Sequence, residues 1–273
     1  MTGDGGRMRV LVIGGMSQSL VNFRGPMLQR MVSSGHEVYA CAGEANADIT
    51  AHLTAMGVTF RGVELQRRGT NIMADWRYSR AISDVIAAVR PGVVLAYTIK
   101  PVIYGALAAA RLGVPLVAAM ITGVGAAQPE ANLRSHVVAL IARWLYAKAL
   151  RKVNVVFFQN PDDEALFRAH QLIGNSRVVQ IAGSGVDLQH FREERPITEP
   201  VTFLLIARLL ANKGIREYVA AARILRMYSP TARCVLVGPV ETGAGAIPRR
   251  EVERWHDEGV IEYLAQIDDV RPV

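Results

Sequence analysis

Short runs of β-branched and aliphatic residues alternate with longer helical segments along most of this chain, and that alternation restricts it to parallel sheets with helices on both faces. Strands are predicted at 8–13, 36–42, 58–65, 93–98, 116–121, 153–159 and 178–182. Helices are predicted at 20–34, 49–56, 74–89, 104–112, 133–150 and from Pro161 onward. Asn160 followed by Pro161 marks the last of these starts, because the N–H that proline lacks would go unpaired in a first helical turn anyway. The polar stretch 192–200, with Pro196 and Pro200, reads as a linker. Beyond it the alternation restarts, with strands at 202–207, 233–237 and 261–265 and helices at 215–227 and 248–258. Two doubly wound α/β domains are therefore expected, at 1–190 and 200–273. A second sheet of three strands is small for this class and would leave apolar faces partly uncovered, so the second domain is expected to be incomplete.

Composition narrows the partners. With 273 residues, 51% hydrophobic and 20% charged, the chain has ample material for a globular core. Its formal net charge of +7 favours anionic partners, which include nucleic acid, phosphorylated substrates and acidic membranes. The absence of an RNP or zinc-finger motif argues against nucleic acid. Asp4 and two glycine clusters precede the first apolar run, unlike a secretory signal, so a cytoplasmic location is expected. The uncharged stretch 112–129 contains Pro115, Gly123 and Gly125, which fits a buried strand and loop better than a membrane span. Cys41 and Cys234 lie inside apolar runs, where packing explains them; no CxxC or His/Cys cluster points to a disulfide framework or a metal.

Several motifs fall at strand ends, where open α/β sheets bind ligands. Gly14 and Gly15 follow the first strand without completing a dinucleotide fingerprint, because Ser17 and Gln18 stand where further glycines are needed. They serve as a ligand-facing backbone or as a plain turn. Ser17, Gln18, Ser19, Asn22 and Arg24 then form a polar run suited to a hydroxylated ligand or to solvent. Arg24 is the most informative of these, since a cation near a helix start is unfavourable without an anion. Lys100, in Tyr97-Thr98-Ile99-Lys100-Pro101, reads as a phosphate contact or as a surface lysine. Thr122 and Gly123 close another strand, where glycine permits close approach to a sugar.

The segment 133–150 and its flank carry Arg134, His136, Arg143, Lys148, Arg151 and Lys152 without an acidic residue, a pattern compatible with anionic lipid. Stepping round at 100° per residue scatters those cations over most of the circumference, so the preferred expectation is a sheet-packing helix with basic ends. Arg208 and Lys213 flank the next strand-to-helix turn. Two cations beside a positive helix end suit a diphosphate whose charge grows as a bond breaks; the plainer reading is a salt-bridged pair with Asn212 capping the helix.

Five strings carry a family resemblance: Tyr97 through Gly105, Met120 through Gly125, Phe157 through Asp163, Gly183-Ser184-Gly185-Val186-Asp187, and Arg208 through Lys213. Together they resemble retaining GT-B glycosyltransferases of family 4, bacterial enzymes that extend polyprenyl-diphosphate-linked oligosaccharides and their capsule or O-antigen relatives. The resemblance implies an acceptor domain followed by a nucleotide-sugar domain, no metal or other cofactor, a UDP-sugar donor, a lipid-linked glycan acceptor and peripheral contact with the cytoplasmic face of the inner membrane. Arg208 and Lys213 would act on the donor diphosphate as catalytic cations. Gly15, Gly183, Ser184, Gly185, Asp187 and Gly238 would bind the donor, and Ser17, Gln18, Asn22, Arg24, Lys100, Thr122 and Gly123 the acceptor. The loop 126–130 departs from the aromatic and glycine-rich pattern of relatives. The paired glutamates of the Glu-x7-Glu motif would follow position 273, so weak or absent turnover is expected of this chain alone. A nucleotide-sugar 2-epimerase-like enzyme and a non-catalytic nucleotide-sugar-binding remnant are the alternatives.

Overall fold

Seven of the predicted strands pair side by side in a computed structural model that describes residues 6–44, 46–66, 71–124, 133–195, 198–243, 245–267 and 269–273. They are β1 (Arg9–Ile13), β2 (Glu37–Ala42), β3 (Val58–Gly62), β4 (Val93–Tyr97), β5 (Leu116–Ile121), β6 (Val155–Phe158) and β7 (Arg177–Gln180). All pairs are parallel, in the order β3-β2-β1-β4-β5-β6-β7. Val10 lies level with Val38 on one side and Val93 on the other, so the winding reverses between β1 and β4. With right-handed crossovers, that reversal sends the helices of the two halves to opposite faces and opens a crevice at the carboxyl ends.

The period of two along each strand assigns the two faces. Leu11, Ile13, Val94, Ala96, Val117, Ala119 and Ile121 point into one core with α4 (Ile72–Val89), α5 (Ala106–Arg111), α6 (Leu133–Leu150) and α7 (Pro161–Ala169). Val10, Val12, Val38, Ala40, Leu95 and Met120 point into the other with α1 (Ser17–Asn22), α2 (Gly25–Ser33) and α3 (Ala47–Ala55). Side-chain caps start three of these helices: Asn46 accepts from the Ile49 N–H, Asn71 from Met73 and Ala74, and Asn160 from Asp163. α7 adds Pro161 and the acidic run Asp162, Asp163 and Glu164 in its first turn, which complements the helix dipole.

Two helices differ from the sequence expectation. The single helix predicted at 20–34 is α1 and α2, interrupted at Phe23 and Arg24. Pro26 supplies the cause: inside one continuous helix its ring would meet the Asn22 carbonyl, so the chain stops and restarts with proline in the first turn. The helix predicted at 104–112 begins earlier as a π-turn, Pro101–Gly105, before becoming α5. A β-carbon on Gly105 would lie 3.2 Å from Ile13 Cδ1, so glycine lets this turn press against the sheet.

The chain divides into two compact units, Met1–Val186 and Asp187–Val273. The second contains β8 (Thr202–Ile206), β9 (Arg233–Val237) and β10 (Glu262–Leu264) in the parallel order β10-β9-β8, with α8 (Ile215–Tyr228) and α9 (Arg249–Asp257). Leu209, Ile215, Val219, Leu236, Val252 and Trp255 form its core. Phe203, Leu204 and Ile206 of edge strand β8 remain exposed, as the three-strand expectation implied. Both cysteines are free and buried, and burial pushes the Cys41 thiol up to about 12.

The helical layer over β6 is held by three rings. Phe167 is fully buried, with its ring centroid 5.1 Å from Tyr146 and 5.4 Å from Phe158, both edge-on. Replacing Phe167 with Ala is expected to destabilise the first unit by roughly 3–5 kcal/mol. Urea unfolding followed by circular dichroism checks this, and a loss below about 1 kcal/mol would mean that the cluster does not anchor α6 and α7.

Candidate functional site

The carboxyl edge of the first sheet is built around two glycines. β1 runs directly into Gly14 and Gly15, and the Gly14 N–H donates to the Cys41 carbonyl at 2.8 Å. A β-carbon on Gly14 would lie 2.3 Å from the Tyr97 hydroxyl, and one on Gly15 would lie 2.8 Å from Thr98 Oγ1. Only glycine lets the ends of β1 and β4 close on each other at the switch point. Thr98 itself holds φ at 68°, a strained conformation for a β-branched residue, and its buried hydroxyl has no partner among the described residues. The sequence reading passed over Thr98 as a site residue. Its signal was positional: it is the first residue after β4 at the reversal.

A cavity of about 750 Å³ opens beside this junction, within the usual range for small-molecule sites. Gly15, Met16, Ser17 and Gln18 line one side; Gly43, Glu44, Glu64, Leu65 and Gln66 bring in the ends of β2 and β3; Asn71, Ala74, Arg77 and Ala81 come from α4 and its cap. Carboxylates, amides and one guanidinium on a concave wall suit a polyhydroxylated ligand. Glu44, Glu64, Gln66, Asn71 and Arg77 escaped the sequence reading because none sits in a motif, and only the strand order brings them together.

The structure divides the residues expected at the acceptor. Ser17 lines the cavity, but its hydroxyl donates to the Glu44 carbonyl at 2.7 Å and thereby ties α1 to the β2 loop. Gln18 also lines it, with its amide donating to Asn22 Oδ1 at 3.2 Å. Arg24 does not line it: the break between α1 and α2 folds this residue inward to 5% exposure. There its guanidinium lies 4.9 Å from the Tyr97 ring centre and donates to Ser184 Oγ at 2.7 Å and to the Phe23 carbonyl at 3.2 Å. Desolvation lowers its pKa, Tyr97 opposes that shift, and Nε has no partner among the described residues. Tyr97 shares a 2.8 Å hydrogen bond with Ser19, and the Gln159 amide donates to Ser184 at 3.3 Å. Thr122 is exposed and Gly123 lies at φ 143° at the end of β5; Gly125 and the loop 126–130 lie outside the described residues.

Lys100 is neither a free phosphate contact nor a plain surface lysine. Its ammonium lies 2.6 Å from Asp75 Oδ1 and donates to the Gln66 carbonyl at 2.7 Å, with side-chain exposures of 13% and 17% for the ion pair. The Tyr104 hydroxyl donates to the other Asp75 oxygen at 3.1 Å. Lys100 thus supports the cavity wall from behind Gln66.

Of the residues expected at the donor, Ser184 lies between two left-handed glycines, Gly183 at φ 81° and Gly185 at φ 76°, and faces Arg24. Asp187 begins the second unit, where its Oδ1 accepts from the Gln189 N–H at 2.9 Å and the His190 N–H at 3.2 Å, closing a turn. Gly238, at φ 149°, ends β9 so tightly against β8 that a β-carbon would stand 1.9 Å from the Ala207 carbonyl oxygen. Arg208 is half-exposed, with Nη1 3.5 Å from Glu241 Oε1. Lys213 is exposed in the 3-10 turn Ala211–Lys213, immediately before Gly214 starts α8. Asn212 does not cap α8, contrary to the plainer sequence reading, because Gly214 occupies the cap position at φ 71° without a side-chain bond.

Solved structures match this fold along almost the whole chain. A glycosyltransferase from Rickettsia africae matches with a TM-score of 0.67 at 13% identity, covering 97% of this chain and 70% of that one. HepE from Anabaena, solved with UDP and glucose, matches at 0.66 and 13%, covering 96% and 70%. A UDP-GlcNAc 2-epimerase from Neisseria meningitidis matches at 0.63 and 13%, covering 97% and 73%. The fold is that of the GT-B class. Residues 24–183 match the glycosyl transferase 4-like domain, and the chain belongs to that family of glycosyltransferases. A protein of Campylobacter jejuni subsp. jejuni serotype O:2, N,N'-diacetylbacillosaminyl-diphospho-undecaprenol alpha-1,3-N-acetylgalactosaminyltransferase, is 21% identical over 277 residues, 96% of this chain and 71% of the relative.

The network behind the cavity has a pH signature. Desolvation first, and Asp75 second, push the Tyr104 phenol up to about 12. The folded state then holds this proton more tightly than the unfolded chain, so the contribution to stability is full below pH about 10 and is lost as pH rises toward 12. Asp75→Asn is expected to bring Tyr104 ionisation down, though not fully to 10, because burial persists. Tyrosinate absorbance in wild type, Asp75→Asn and Tyr104→Phe reads this directly, and an unchanged titration in Asp75→Asn would remove Asp75 as a cause.

Proposed function

We propose that this chain transfers a sugar from a UDP-linked donor to a polyprenyl-diphosphate-linked acceptor with retention at the anomeric carbon. The first unit takes the acceptor, the second takes the donor, and contact with the cytoplasmic face of the inner membrane brings the lipid within reach. The observation that carries the reading is similarity along 96% of the chain to a transferase whose named substrate is a diphospho-undecaprenol-linked sugar. The polar cavity at the carboxyl edge supports it by offering hydrogen-bonding groups on a scale suited to a sugar. Ser17 and Gln18, together with Glu44, Glu64 and Arg77, form the acceptor wall in this reading.

Arg208 and Lys213 act at the donor diphosphate. Both are exposed cations at the strand-to-helix turn of the second unit, and negative charge develops on the departing diphosphate as the sugar bond breaks. No carboxylate nucleophile is assigned, because the donor phosphate itself takes the acceptor proton on the face where the new bond forms. Arg24 and Ser184 stabilise the inner end of the acceptor unit, beside Tyr97.

Two substitutions separate the roles. Arg208→Ala is expected to lower turnover by about 10²-fold or more, as loss of a preorganised transition-state contact does. Arg77→Ala is expected to raise the acceptor KM by about tenfold with little change in the donor KM, as loss of a ground-state contact does. Steady-state kinetics with a UDP-sugar and a polyprenyl-diphosphate-linked acceptor, with the anomeric configuration of the product read by NMR, checks both. Isomerisation of the donor sugar without an acceptor would replace this reading with an epimerase. Binding of UDP without any product would replace it with a binding protein.

A further inference from the structure

The inward face of α6 is narrow and made of small or aromatic residues: Ala139, Ala142, Tyr146, Ala149 and Leu150 are buried. The opposite face carries Val137, Leu140, Ile141 and Trp144, at 51%, 63%, 50% and 62% exposure. Their i, i+3, i+4, i+7 spacing makes one apolar stripe along the solvent side. The helix is therefore apolar on two sides, which is why its sequence lacks the usual amphipathic signature. No acidic residue occurs from 131 to 161.

Three cations gather at one end of this stripe, as the expectation of a sheet-packing helix with a basic end implies. Lys148 lies on it, with its ammonium 5.2 Å from the Trp144 ring centre, and Arg151 and Lys152 continue it just past the helix end. None of the buried residues of α6 is charged. At the start of α4, in the same helical layer, Ile72, Met73 and Trp76 are exposed as well.

We propose that α6 is the surface by which this chain lies on a membrane containing anionic lipid, with Val137, Leu140, Ile141 and Trp144 entering the headgroup and acyl boundary and the flanking cations meeting lipid phosphates. A tryptophan paired with a lysine suits that boundary, where the ring is half wet and the ammonium reaches outward. Charge complementarity selects this occupant over a second copy of the chain, whose α6 would oppose cations to cations. The proposal draws its biological sense from the lipid-acceptor reading above, yet it is tested without sugar transfer, so the two can fail separately.

The test is co-sedimentation of the protein with vesicles of phosphatidylcholine alone and of phosphatidylcholine mixed with phosphatidylglycerol. Binding is expected on the mixed vesicles and weaker in raised salt. The double variant Leu140→Ser, Trp144→Ser is expected to lose at least tenfold in partitioning, as removal of two large apolar side chains from the interface implies. Both residues are exposed, and circular dichroism together with urea unfolding verifies that the variant is folded. Absence of wild-type binding to the mixed vesicles, or equal binding by the double variant, would overturn the proposal. So would a dimer in light scattering that the double variant abolishes without vesicle binding, since a second copy would then cover the stripe.

Discussion

Closure of β1 against β4 is the contact on which the rest of the first unit depends. Gly14 and Gly15 leave room for Tyr97 and Thr98, and a β-carbon at either position would force the two strand ends apart. The winding of the sheet reverses at this pair, so the same contact separates the helical layers and opens the crevice between them. The cavity follows from that geometry: it takes residues from the ends of β1, β2 and β3 and from the cap of α4, which share no sequence neighbourhood. Strain at Thr98, with its buried and unpartnered hydroxyl, is concentrated at the same point.

Cations in this chain are distinguished by what surrounds them more than by where they fall in a motif. Lys100 is neutralised by Asp75 and held by the Gln66 carbonyl, so its role is to support the cavity wall. Arg24 is enclosed too but faces a hydroxyl, a carbonyl and an aromatic ring; neutral acceptors and a π-face must hold its charge, and its lowered pKa records the cost. Arg208 is half-exposed with Nη1 3.5 Å from Glu241 Oε1, and Lys213 is exposed, so neither is enclosed as Lys100 and Arg24 are. Burial converts a binding cation into a structural one, and the sequence does not display burial.

The strand pattern was legible because a buried parallel strand needs a continuous apolar run, and Gly, Pro or polar residues bound each run. The predicted strands 116–121 and 233–237 and the helix 133–150 have the observed bounds. Pro26 carried the information that splits α1 from α2, but its consequence for Arg24 depends on how the restarted helix packs. The Lys100 to Asp75 contact spans 25 positions, and no local spacing announces it. The candidate site was legible in part: Gly15, Ser17 and Gln18 follow from the strand-end rule, whereas Glu64, Gln66 and Arg77 require the strand order.

The two-sided character of α6 has separate physical origins on its two faces. Alanines at 139, 142 and 149 let the helix approach the Pro101–Gly105 turn closely, and Tyr146 fills the space beside Phe167, so the inward face is determined by packing. The outward residues contribute nothing to that core. Packing would be equally well served by polar residues there, and exposed stripes of this size favour association in water. Reading the helix as a single averaged wheel cancels the two apolar faces against each other. Separating the inward from the outward half leaves an apolar stripe that carries Lys148 and ends at Arg151 and Lys152, a chemistry complementary to an anionic bilayer surface.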